Sequence, residues 1–160
     1  IGCDATNNTA VEKIFRIKTR EESKSLFILV DGIGMLERYV KTIPQTASEL
    51  ISVSDSPLTI IYPDGKNLAT GICSADGSVG IRICNEPFCN ELITRFRRPV
   101  VSTSANISGK TSPASFREIT EEIISQVDYV VKYRQNDRQK HSPSPVIQID
   151  KNGALKILRQ

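Results

Sequence analysis

Apolar residues along this chain fall in two alternating patterns, short solid runs and stripes spaced by three and four, and the alternation predicts strands and helices in turn. Thr9 and Glu12 form a capping box, and Ala10, Val11, Ile14 and Phe15 share one face, which predicts a first helix ending near Ile17. The run Leu26-Phe27-Ile28-Leu29-Val30 reads as a buried strand. Beyond the turn Asp31-Gly32-Ile33-Gly34, Met35, Leu36, Tyr39 and Val40 have helical spacing, and a second short helix is expected around Ala47, Leu50 and Ile51 after Pro44. Pro57 to Tyr62 and Val79 to Ile83 are β-branched or alternating and predict two more strands. Pro87 suits a first-turn position of a helix with Phe88, Leu92, Ile93 and Phe96 inward, and Arg95, Arg97 and Arg98 at its C-terminus are accounted for by the helix dipole.

Pro99 to Val101 reads as a short buried strand, and Ser102-Thr103-Ser104-Ala105-Asn106-Ile107-Ser108-Gly109 as the loop leaving its C-terminal end, where ligands bind in open α/β sheets. Ser115 and Glu118 form a second capping box ahead of a stripe of Phe116, Ile119, Ile123 and Val127, which predicts a helix. Tyr129-Val130-Val131 reads as a strand and Arg134 to Ser144 as a polar loop. Val146 to Ile149 with Leu155 to Leu158 reads as a hairpin turned at Asn152-Gly153. Strands alternating with helices place the chain in the α/β class.

At 160 residues, 39% hydrophobic and 24% charged, the chain fits a single domain with a good core. Its net charge of +3 permits an anionic ligand or RNA without being a nucleic-acid signature. Cys3, Cys73, Cys84 and Cys89 form no CxxC pair and read as reduced thiols. No run is long and apolar enough to span a membrane, so a cytoplasmic protein is expected, with no membrane partner.

The inventory of reactive groups narrows the chemistry. One histidine, His141, lies in a Pro/Ser-rich loop, and no GxSxG elbow surrounds a serine, which removes a nucleophilic hydrolase. The acidic residues fall at helix starts or on exposed faces, which leaves no carboxylate pair. Cations and hydroxyls remain. Lys18 and Arg20, two apart, point to one side if the chain is extended there, and Ser104 and Asn106 bear the same relation in their loop. Such groups hold a nucleotide in line and offset charge on a leaving pyrophosphate.

Lys18-x-Arg20 after a helix, Lys24 before an apolar strand, Pro57-Leu58-Thr59 on a later strand and the string Ser102-Thr-Ser-Ala-Asn-Ile-Ser-Gly109 resemble the YrdC-type threonylcarbamoyl-AMP synthase family, in its Bacteroidetes-like form. The resemblance implies a twisted mixed sheet flanked by helices, with a positively charged concave face binding ATP, L-threonine and bicarbonate, and Mg2+ carried by the nucleotide. The product would be threonylcarbamoyl-adenylate plus pyrophosphate, handed to the transferase machinery that modifies adenosine 37 of tRNA. Lys18 and Arg20 match the family's Lys-x-Arg, the catalytic and nucleotide-binding pair, and Ser104 and Asn106 its Ser-x-Asn. Ser144 matches a nucleotide-contacting serine and Arg159 the arginine of a closing Leu-Arg. Thr59, Arg82 and Lys24 transfer as substrate-binding residues. Two local departures stand out: Asp55-Ser56-Pro57 replaces Pro-Gly-Pro, and Ser144-Pro145 replaces Ser-Thr. The family's Pro-Thr-(Asp/Glu)-Thr-x-Tyr-Gly segment belongs directly before Gly2, so residues 1–160 are expected to form one domain without that segment and its strand. Two other readings stay open, a non-catalytic double-stranded RNA or tRNA-binding module, and carbamoyl-adenylate chemistry in hydrogenase maturation.

Overall fold

The computed structural model describes residues 1–19, 26–54, 56–137 and 144–159. Its centre is one six-stranded mixed sheet built from β1 (Phe27–Val30), β2 (Thr59–Tyr62), β3 (Val79–Ile83), β4 (Val100–Ser102), β5 (Val146–Ile149) and β6 (Leu155–Arg159), in the order β4-β1-β3-β2-β5-β6. β1 runs parallel to β3 and β2 parallel to β5, while the other three pairs are antiparallel. The helices are α1 (Asn8–Lys18), α2 (Ile33–Tyr39), α3 (Gln45–Val53), α4 (Pro87–Phe96) and α5 (Glu121–Ile124). Among the described residues no helix is long and apolar enough to cross a membrane.

Because strand side chains alternate, the register sorts the sheet into two faces. Ile28, Val30, Ile60, Tyr62, Val79, Ile81 and Val101 belong to one buried cluster with Val11, Ile14 and Phe15 of α1, Met35 and Leu36 of α2 and Ile93 of α4. The residues between them, Phe27, Leu29, Thr59, Arg82 and Ser102, line a cavity on the other face. Beside β4, residues 1–5 run antiparallel to it: the Thr103 N–H donates to Ile1 O at 3.1 Å, that of Val101 to Cys3 O at 2.8 Å, and that of Ala5 to Pro99 O at 3.0 Å. At the opposite margin every residue of β6 is exposed.

Several sequence expectations change. α1 is capped by Asn7, whose side chain accepts from the Ala10 N–H at 3.1 Å, so the helix starts ahead of the predicted Thr9 cap. Gly32 caps α2, which places Ile33 and Gly34 inside the helix and not in the turn. On α4 only Ile93 is fully buried, whereas Leu92 and Phe96 are 41% and 45% exposed and Phe88 stacks on Tyr133 at 4.6 Å. The inward stripe on α4 is Cys89 and Ile93, spaced i, i+4, which the larger apolar residues masked. The helix expected from Ser115 breaks into a 3-10 turn, Phe116–Glu118, and the four-residue α5. Its capping box does not close: Ser115 Oγ donates to the Glu118 carboxylate at 3.1 Å instead of accepting from a backbone N–H, and the extended Ile119 and Thr120 end the turn. Tyr129 to Val131 form no strand; Tyr129 is 71% exposed and Val131 40%. The hairpin at Asn152-Gly153 forms, with Gly153 at φ 82, in the left-handed region.

Candidate nucleotide and amino-acid site

Register and loop geometry gather the site on the open face. Leu29 pairs with Arg82 across the parallel β1–β3 ladder, and the antiparallel β2–β3 register, Ile60 to Ile81, sets Thr59 beside Arg82. Ser144, just ahead of β5, joins them. Its hydroxyl lies 3.1 Å from Thr59 Oγ1 and accepts from Arg82 Nη1 at 3.2 Å. Its carbonyl accepts from Arg159 Nε at 3.0 Å and Nη2 at 2.7 Å, a two-pronged grip from β6. Thr59 is 2% exposed, and its hydroxyl is paired with that of Ser144. Thr59, Arg82, Ser104, Ser144 and Arg159 line one cavity of about 450 Å3, a size suited to a small-molecule ligand.

Lys18 and Asn106 take a different place. Lys18 ends α1, and Thr19 follows at φ 47, so the chain at Lys18 is helical and the extended geometry assumed for Lys18 and Arg20 does not begin there. The Lys18 ammonium, 1% exposed, donates to Ser104 O at 2.5 Å, Asn106 O at 2.7 Å and Asn106 Oδ1 at 3.4 Å. The Asn106 amide donates to Lys110 O at 2.6 Å and Ile107 O at 3.1 Å. Neither side chain lines the cavity; together they shape the loop that presents Ser104 to it. Arg20 and Lys24 lie outside the described residues.

The cavity is also lined by Ser102 and Thr103 of the expected ligand loop, and by four residues that the sequence did not point to: Leu26, Phe27, Leu29 and Ser112. In a continuous apolar run such as 26–30 nothing in the residue types says which positions face a ligand. The alternation of faces, counted from Thr59 and Arg82 across the register, is the signal that finds Phe27 and Leu29. Two residues past Arg82, the Cys84 thiol is drawn down to about 6 by its hydrogen bond with Cys89, whose own thiol is pushed up; neither lines the cavity. Among the described residues no group of three or more His, Cys, Asp or Glu could hold a metal ion.

A mixed sheet with one core face and one cavity-bearing face, in this strand order, defines a YrdC-like α/β domain; the Escherichia coli YciO structure shares the fold at a TM-score of 0.81 and 20% identity, covering 99% of this chain and 76% of that one. The chain belongs to the Sua5/YciO/YrdC family, whose model, described as telomere recombination, matches residues 1–160. A protein of Pseudoalteromonas translucida named threonylcarbamoyl-AMP synthase is 31% identical over 134 residues, 82% of this chain and 72% of its own length. One of Methanocaldococcus jannaschii, named putative threonylcarbamoyl-AMP synthase, is 34% identical over 157 residues, 98% of this chain and 72% of its own. The crystal structure of Pyrococcus abyssi Sua5 complexed with L-threonine superposes with a TM-score of 0.84 at 27% identity, covering 99% of this chain and 46% of that one. This chain therefore spans about half the length of that Sua5.

Proposed function

We propose that this chain is a threonylcarbamoyl-AMP synthase, which joins L-threonine, bicarbonate and ATP into threonylcarbamoyl-adenylate and releases pyrophosphate and water. The observation that carries the reading is the convergence on Ser144, whose hydroxyl meets Thr59 and Arg82 while its carbonyl is held by Arg159, inside the cavity that Ser104 also lines. The names of the relatives and the threonine complex of Sua5 support it.

In this reading the threonine amine attacks the carbon derived from bicarbonate, and water leaves. An oxygen of the resulting carbamate then attacks the α-phosphorus of ATP, and the bond to the pyrophosphate oxygen breaks. The protein's part is to hold and to neutralise. Arg82 and Arg159 supply fixed positive charge to carboxylate and phosphate oxygens, and Ser104 and Ser144 supply hydroxyls. Lys18 and Asn106 hold the loop that presents Ser104, and Arg20 takes the nucleotide-binding role implied by the Lys-x-Arg match. Mg2+, carried by the nucleotide, would supply charge neutralisation on its phosphates. The product is passed in the cytoplasm to the machinery that modifies adenosine 37 of tRNA. The experiment is pyrophosphate release from ATP, dependent on both threonine and bicarbonate, in the wild type and in Arg82→Ala. We expect release by the wild type and a loss of at least about a hundredfold in the variant, as for removal of one charge-stabilising donor; equal turnover by both overturns the site.

A further inference from the structure

Among the described residues Phe27 is the one aromatic side chain on the cavity wall, and it is seated in an unusual way. The parallel register places it beside Gly80 on β3, as it places Leu29 beside Arg82. A Cβ at Gly80 would lie 2.4 Å from Phe27 Cδ1 and 2.7 Å from Cε1, distances that real Cβ atoms do not show. Gly80 has no left-handed φ, so its backbone would tolerate any residue and only the missing Cβ is being used. The ring therefore lies down into the space of the absent side chain and is held at the level of the sheet.

A ring laid that low leaves depth above it at the cavity floor, one residue pair away from the Arg82 guanidinium. The smallest carboxylate-bearing substrate fits there, its carboxylate at Arg82 and its short side chain over Phe27 and Leu29. The bulkier nucleotide then lies toward the loop that carries Ser104. Resting on the proposed activity, we infer that the Phe27–Gly80 pair is the gauge that selects the amino-acid substrate by size, admitting a side chain as short as threonine's and rejecting longer ones.

The pair makes opposite predictions for its two members. Phe27→Ala deepens the floor, and the kcat/KM ratio of L-isoleucine to L-threonine rises about tenfold, the worth of one well-packed methylene or slightly more. Gly80→Ala lifts the ring into the cavity, and the KM for threonine rises by about the same factor while the KM for ATP stays. The double variant returns a methyl to the floor and brings the ratio back toward the wild type. Calorimetric titration of the full chain with each amino acid gives the same comparison without turnover, and Phe27→Leu, with a smaller change in the same direction, serves if the alanine variant does not fold. An unchanged isoleucine-to-threonine ratio in both Phe27 variants, or an effect confined to ATP, overturns the inference. A wild type that binds threonine and discriminates by size but releases no pyrophosphate overturns the proposed synthase and leaves the gauge standing.

Discussion

Lys18 is buried at the end of a helix, and its ammonium donates to two backbone carbonyls and one amide oxygen of the same loop. Such an ammonium is a strut. Replacing it by methionine keeps the volume and the apolar stem but leaves Ser104 O and Asn106 O without their donor. We expect a loss of about 1–3 kcal/mol in urea unfolding, the usual penalty for buried acceptors left unpaired, accompanied by a lower affinity for ATP as Ser104 loses its position. A variant as stable as the wild type would show that the loop stands without the strut. The pairing of Lys18 with the Ser104–Asn106 loop was legible in the sequence, since all three residues stand in matching motifs. Its geometry was not: residue types do not say that Lys18 ends a helix with its ammonium on the carbonyl oxygens of that loop.

At the scale of elements, α1 shows how narrowly a cap can be misplaced. Asn7, Asn8 and Thr9 are all competent cap residues, and the pairing of Thr9 with Glu12 favours the later start. In the fold Asn7 takes the role. Asn7→Ala should therefore lower stability by about 1 kcal/mol, and Thr9→Ala should leave the thermal midpoint almost unmoved; a reversed order would return the cap to Thr9. The strands β1, β2 and β3 were legible because each is a short apolar run closed by Gly, Pro, Asp or Asn. The region from Ser115 to Val131 was not, because its apolar residues are spread over half-buried irregular segments in which Ile123 alone is fully buried among the stripe positions. The cavity residues Thr59, Arg82 and Ser144, far apart in the chain, became neighbours through strand register, which a single sequence does not state.

For the whole molecule, the contact between the two distant stretches around Asp4 and Arg98 offers a pH probe. Burial pushes the Asp4 carboxyl up, but hydrogen bonds from the Thr6 hydroxyl and N–H and from Arg98 outweigh it, and hold the group below its ordinary 3.8. A carboxylate depressed in the folded state stabilises fully above its unfolded pKa and loses that contribution as pH falls through the folded value. The wild type should therefore lose stability more steeply than Asp4→Asn below about pH 4, and parallel curves for the two proteins would remove the linkage.

Lys18 gives its ammonium to the loop after β4, and the loop answers in kind, the Ser108 N–H donating to Lys18 O at 2.8 Å. A helix end and a ligand loop some ninety residues apart are thus latched in both directions. In a protein that opens in parts, they form one cooperative unit: fraying of the last turn of α1 releases the loop. Under the proposed function, the lifetime of that turn would limit how long Ser104 is held ready for a substrate.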